Sequence, residues 1–550
     1  MKHTASLYFL IFAVGCATKS PFQPTPEEQH KLQSIMAFQP DALGVNHGET
    51  LESTKDDVIS TILNRVSVKG KTTLSIADIR RAALTNNLDL QASFFNPAIA
   101  NETLRAEQSK FESTFNISAN RQKTVAPVFA TSSGVHIDTE TISSTIGPGL
   151  AIPITTGGTI ELKDIWTSYK AKTQNASSSR FTDQITASIT QPLLKNSGEE
   201  YNTSSIQLAN YQFQIATAQT TLEVIQTIEQ AELAYWTMYL AWHTLQIQTD
   251  QYYLYEKELK EANQLYIANQ SKTLVDIYAF ESGIASQAAA VIQADHKVRL
   301  AIRALKVFIN EPDLTVGNTI EPYPSTIPDM NRYTFDAESL VALAINHRIE
   351  LLESELQLAS DALQIKVDEN QLLPSIDLSA SYSWNGLDDN NFSSATSRTF
   401  HGNDPSGWSL GLTGSIPIGN DTAKANLRSS ILSRLQSIAT KEGRRQQVTK
   451  DVHDALDNLE SSWMTYVATL YEQQATQNRY DATNKLYDSN LVSSTDVTQA
   501  IMALGEAKLT MLQATVNYQV AMVQLATATG TLMGHSQVEW LAPSSQKLPE

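Results

Sequence analysis

Cysteine is all but missing from this 550-residue chain. Cys16 stands alone, which rules out a disulfide within the chain and any cysteine-built metal cage. Basic residues are outnumbered, with 40 Lys and Arg against 58 Asp and Glu and a formal net charge of -18. No basic surface is left for the phosphates of nucleic acid or for anionic lipid. No stretch reaches 18 consecutive apolar residues, which excludes a transmembrane helix. Any crossing of a membrane must therefore be made by strands. The motifs of zinc peptidases, phosphate-binding loops and nucleophile elbows are missing as well. The 10 His residues are scattered, and His243 reads as a polar or packing residue of a long helix. No enzyme activity, cofactor or metal is expected. The length exceeds what one ordinary core accommodates.

The N-terminus carries a signal. Lys2 gives a positive start and Leu7 to Val14 an apolar run too short to span a bilayer. Ala13-Val14-Gly15-Cys16 is similar to a bacterial lipobox, in which Cys16 would be lipidated and become the mature N-terminus. Thr18, where an Asp would retain such a lipoprotein at the inner membrane, directs it outward. An ordinary signal peptide cut nearby is the alternative.

The rest of the chain is written twice. Leu74 to Leu90 pairs with Phe335 to Leu351 at an offset of 261 residues, and Phe115 to Ala119 pairs with Ile376 to Ala380 at the same offset. Gln191-Pro192-Leu193 pairs with Ile416-Pro417-Ile418, and Tyr266 and Asn269 pair with Tyr487 and Asn490. Each copy reads helix, strand region, long helix, short turn, helix. The expected organisation is a signal peptide (1–15), a lipidated leader arm (16–73), a first repeat (74–311), a proline-rich linker (312–334), a second repeat (335–532) and a tail (533–550).

Four segments alternate with a period of two. Ile376, Leu378, Ala380, Tyr382 and Trp384 fall on one face, with Asp377, Ser379, Ser381 and Ser383 on the other. Trp408, Leu410 and Leu412 repeat the scheme, as do Phe115 to Ala119 and Ile185 to Ile189. About ten residues suit a tilted transmembrane strand, although a half-buried strand of a soluble sandwich alternates the same way. The small polar face and Trp384 and Trp408 at strand ends, as a membrane girdle, favour the bilayer. Four strands cannot close a barrel, so several copies must share one, and a trimer would give twelve. The insertion at 145–169, with its Gly157-Gly158 turn, adds either strands or an external loop.

Between Gly198 and Asn269 there is no proline. Ile225, Leu233, Trp236 and Leu240 recur at helical spacing, and Val448, Val452, Leu459 and Trp463 do so in the second copy. The spacing predicts a helix of about 108 Å. Ile76 to Glu112 and Ser271 to Asn310, stacked end to end, match its length, with a kink expected at Pro97. Such helices build either a tunnel or a solid coiled coil.

Leu372-Leu373-Pro374-Ser375 through Tyr382, the helix opening at Ala337-Glu338-Ser339-Leu340, and Tyr487 to Val497 together resemble the TolC-like outer-membrane efflux protein family, in its lipoprotein branch. The resemblance covers about residues 74 to 533. It implies a mainly α homotrimer, with an α-helical barrel of long antiparallel helices continuing into a shared transmembrane β-barrel held in outer-membrane lipid. It further implies a periplasmic adaptor and an inner-membrane pump, expected to be of the resistance-nodulation-division type. These would dock on tip turns at Asn269, Gln270 and Ser271 and at Asn490, Leu491 and Val492. Asn replaces the family's usual Gly there and is the next most tolerant residue for a left-handed backbone. Asp496 matches the family's aperture residue. Gln499 stands where some members have a second Asp, and Asp276 is the first-copy equivalent. Three Asp496 carboxylates around an axis would form an acidic ring; Asp496 also suits a helix cap. The function implied is a passive efflux duct. The rivals are a duct for type I protein secretion and, from another class, a secreted structural coiled-coil protein.

Overall fold

The computed structural model describes residues 72–537 apart from 131–134, 174–175, 269–271 and 402–405. The chain enters through strand β1 (Thr72–Leu74) and three consecutive helices, α1 (Ile76–Asn86), α2 (Leu88–Ser93) and α3 (Phe95–Gln108). Ser75 caps α1 in a reciprocal box with Asp78. The expected single helix is thus broken, at Asn87 and Phe94 rather than by a kink at Pro97. Asn87 serves both as the end of α1 and as the side-chain cap of α2. Pro97 sits in the first turn of α3, where its missing N–H costs no helical bond.

Four strands follow, β2 (Thr114–Ala130), β3 (Val135–Pro153), β4 (Thr159–Lys172) and β5 (Ser177–Pro192). A short helix α4 (Glu199–Asn202) leads into α5 (Ser204–Ile267), and α6 (Leu274–Ile309) returns antiparallel along it. The proline-rich connection contains β6 (Pro322–Pro324), which pairs in parallel with β1. The second half then runs α7 (Ala337–His347), α8 (Ile349–Gln371), β7 (Ser375–Asp388), α9 (Phe392–His401), β8 (Ser406–Ser415), α10 (Asp421–Asp488) and α11 (Ser494–Ala528), ending in α12 (Leu532–His535).

At 64 and 68 residues, α5 and α10 are about 96 and 102 Å long. Both α3 and α6 pack on α5, and both α8 and α11 pack on α10, so each long helix is flanked along its length by two shorter ones. The main core lies where α1, α5 and α6 meet around Tyr235, Trp236, Met238, Trp242, Val298 and Leu305. The Trp242 indole donates to the Pro322 carbonyl at 2.9 Å, tying the connection to α5. A counterpart cluster holds Leu459, Tyr518, Ala521 and Leu525 between α10 and α11. Among the described residues no helix is long and apolar enough to cross a membrane.

The sheet contains the four main strands expected and two more, so the segment 145–169, left open between strands and a loop, is strand. Six are joined in one antiparallel sheet, in the order β2-β3-β4-β5-β7-β8. The segment 145–169 lies within the β3–β4 hairpin, which is inserted between β2 and β5. Its turn closes at Gly157, whose φ of 92° suits a residue without Cβ.

Candidate functional site

Paired residues of neighbouring strands share a face, so the register sorts every side chain of the sheet. One row reads Phe115, Leu150, Leu162, Ala187, Tyr382, Trp408. The next row, on the opposite face, reads Asn116, Gly149, Lys163, Thr186, Ser383, Gly407. A third row, back on the first face, is Ile152, Ile160, Ile189, Ala380, Leu410. The apolar face is bare over most of its area: Trp408 is 78 % exposed, Phe115 70 % and Leu412 69 %. Large exposed side chains in unbroken rows are not tolerated in water and fit hydrocarbon. The other face carries small polar groups, with the Ser381 and Ser409 hydroxyls 2.8 Å apart.

Trp384 and Trp408 both lie on the apolar face, but neither is a terminal strand residue, since β7 runs four residues past Trp384. Beyond Trp384 the apolar face is covered by α9. Phe392 meets Phe181 edge-on at 4.9 Å, and Ala395 lies over Gly386, where a Cβ would come 2.1 Å from its carbonyl oxygen. Nothing in the period-two pattern announced this helix.

At the other end of the helices, Tyr255, Phe280, Tyr480, Tyr487, Val497 and Ile501 form an aromatic-rich cluster between the α5–α6 and α10–α11 hairpins. Polar ties cross it. The Tyr480 hydroxyl donates to Glu258 at 3.0 Å, Tyr255 to the Thr498 carbonyl at 3.3 Å, and the Gln251 amide to the Ile501 carbonyl at 3.2 Å. Lys272 lies 3.3 Å from the centre of the Tyr487 ring and donates to the Tyr487 carbonyl at 2.8 Å. Burial pushes the Tyr255 hydroxyl up to about 12. Burial also raises Glu258, against the opposing hydrogen bond from Tyr480. The sequence reading missed these ties, because their members lie more than 200 residues apart.

Asp496 is exposed and occupies the third position of α11. Its Oδ2 accepts from the Ser493 N–H at 2.9 Å and hydroxyl at 2.7 Å, while Ser493 accepts from the Asp496 N–H at 3.3 Å. These bonds hold its carboxyl below the ordinary range. Asp276 repeats the arrangement at the start of α6, with Thr273 donating from N–H at 2.9 Å and hydroxyl at 2.8 Å. Partial burial works against it, but hydrogen bonds from Ser494 and Thr273 leave the Asp276 carboxyl lowered. Asp496 and Asp276 are therefore the third-position partners of capping boxes closed by Ser493 and Thr273. Gln499 is exposed one turn further along. Asn490 has φ 59°, the left-handed conformation expected of it. Leu491 is exposed, and Val492 packs against the tip cluster. Asn269, Gln270, Ser271 and Cys16 lie outside the described residues.

A two-faced sheet at one end and paired helices of about 100 Å at the other define an architecture, a strand wall carried on a helical stem. Residues 340–531 match the family model described as outer membrane efflux protein. Three solved structures have the same fold. The CmeC outer membrane channel of Campylobacter jejuni is 13 % identical, with TM-score 0.61, covering 89 % of this chain and 94 % of that one. VceC of Vibrio cholerae is 14 % identical, with TM-score 0.60, covering 83 % and 96 %. A membrane protein of Pseudomonas aeruginosa is 17 % identical, with TM-score 0.62, covering 84 % and 92 %. No curated protein matches the sequence. The chain is thus similar to outer membrane efflux proteins in sequence over residues 340–531, and shares the fold of these channels over most of its length.

Proposed function

We propose that the chain is one third of a passive outer-membrane duct, which carries substrates from a periplasmic adaptor and an inner-membrane pump to the exterior. The observation that carries this reading is the sheet: greasy on one face, small and polar on the other, with both edges open. Unpaired edges are not tolerated in hydrocarbon, so copies must complete each other. Six alternating strands leave β2 and β8 running in opposite directions, so β8 of one copy meets β2 of the next antiparallel. That head-to-tail contact closes into a ring.

The stem supports the same assembly. On α10, Ile431, Leu432, Leu435 and Ile438 form an exposed apolar stripe. On α3, Phe95 and Ile99 are exposed as well. Counted from the strand ends at about 1.5 Å per residue, both patches lie roughly 20–35 Å along the stem. A neighbouring copy brings the two together. The element order, helices then strands then a long helix and its return, supports the twofold repeat and its boundaries at 74–311 and 335–532. In the trimer, Asp496 both caps α11 and contributes to an acidic aperture, the tip turns meet the adaptor, and Cys16 anchors the leader arm through lipid. Efflux is preferred to protein secretion because the matching family model is that of efflux proteins.

Reconstitution tests the reading. Detergent-extracted protein should migrate as a trimer and conduct ions in planar bilayers. A water-soluble monomer with no affinity for vesicles would overturn it.

A further inference from the structure

The β3–β4 hairpin has a consequence for the width of the exit. Its apolar residues Leu150, Ile152, Ile160 and Leu162 continue two rows of the apolar face, the next being broken by Asp164, and both its strands are paired into the sheet along their length, so it is built as wall rather than as loop. Because it adds two strands, the directions of β2 and β5 still alternate and the ring still closes antiparallel. Resting on the trimeric reading above, we propose that three copies of the six-stranded sheet form an eighteen-stranded barrel, whose mouth is as wide as the helical stem and passes solutes too large for a twelve-stranded one.

Ring perimeters support this. Strands about 4.8 Å apart and tilted about 40° each take up roughly 6.3 Å of perimeter. Twelve such strands give a backbone ring of about 24 Å diameter, and eighteen give about 36 Å. The stem has four helices per copy at any level: α5, α10 and one shorter partner of each. Twelve helices at about 8–10 Å spacing make a perimeter of roughly 96–120 Å. Eighteen strands make about 113 Å and twelve only about 75 Å. The hairpin therefore removes the step that a narrower barrel would impose between stem and exit. The inward rows of β2, β5, β7 and β8 are Ser, Thr, Asn and Gly for the most part, while β4 brings Glu161, Lys163, Ile165 and Tyr169 inward. Allowing about 10 Å for side chains leaves an opening near 26 Å, against about 14 Å for twelve strands.

The test compares the full chain with a variant in which residues 126–176 are replaced by Asn-Gly. This two-residue turn lets Val125 face Ser177 and β2 pair directly with β5. Each protein is reconstituted in planar bilayers, and poly(ethylene glycol) of graded size is added on the barrel side. The largest polymer that enters and lowers conductance should have about twice the radius in the full chain. Equal limits would overturn the proposal. Cysteines at residues 115, 117 and 119, paired in turn with Leu410→Cys, report the contact between copies in both proteins. Their cross-linking shows that the ring exists whatever its width, and its failure together with loss of conductance sinks the trimeric reading instead. If the shortened variant does not assemble, labelling of the full chain decides. Leu150→Cys and Leu162→Cys should react with a bilayer-dissolved maleimide, and Ala151→Cys with a water-soluble one. Labelling of all three from water alone would make the hairpin an external loop and end the proposal.

Discussion

Asp496 shows how far a single residue can be read. Its place after Ser493, Ser494 and Thr495 made a cap legible in the sequence, because side-chain oxygens at a helix start have local partners. An acidic ring depends on copies that the sequence of one chain does not contain. The two roles separate by mutation. Ser493→Ala should cost about 1 kcal/mol of local helix stability, seen as faster hydrogen exchange at 493–497, with ion selectivity unchanged. Asp496→Ala should fray the same turn and also raise conductance; unchanged conductance would leave only the cap. Both Asp496 and Asp276 have lowered native pKa values. Their caps should therefore hold from neutral pH down to the ordinary value of 3.8 and be lost as pH falls through the lowered one. Glu258 titrates in the opposite sense. Its raised native pKa is a penalty on the charged form, relieved on acidification. Tyr480→Phe leaves that buried carboxylate without its strongest donor and should ease opening of the tip by about 1–3 kcal/mol at pH 7. Hydrogen exchange over 255–262 should report this, with part of the loss recovered on acidification. None of this was visible in the sequence, since Glu258 and Tyr480 are 222 residues apart.

Among the elements, legibility followed periodicity. The long helices were plain because apolar residues at helical spacing continue for many turns without proline. The four strands with clean alternation were plain too. The β3–β4 hairpin was not: Gly147, Pro148 and Gly149 interrupt the pattern in β3, and Asp164 does so in β4. Pairing with β2 and β5, rather than their own sequence, holds these strands in place. The sorting of faces makes a paired prediction. Leu410→Arg on the apolar face should cost about 2–4 kcal/mol near the bilayer centre and reduce folding into vesicles, whereas Ser409→Arg on the other face should fold normally. Helix crossings are equally specific. The Gln251 side chain lies directly over Gly505, where an added Cβ would fall 1.2 Å from its amide nitrogen. Gly505→Ala should expel Gln251 from its bond to Ile501 and destabilise the α5–α11 contact by about 1–3 kcal/mol, measurable as a lower thermal midpoint of the detergent-solubilised protein.

For the whole molecule, the proposed duplication is what made the architecture readable. Corresponding blocks in one order imply corresponding elements, whereas the inserted hairpin has no counterpart and so had no template. The same correspondence extends to the joints between sheet and stem. After β5 the chain turns at Asn196 and Gly198, with φ 64° and 96°; after β8 it turns at Gly419 and Asn420, with φ 94° and 49°. Gly and Asn are the residues that adopt left-handed backbone at least cost, so both corners turn by the same local chemistry and keep the freedom of a glycine. In the proposed assembly each corner is a place where a rod of about 100 Å can swivel against the sheet. In the proposed duct, an iris-like opening of the tip would be taken up at these corners, leaving the membrane end at its full bore.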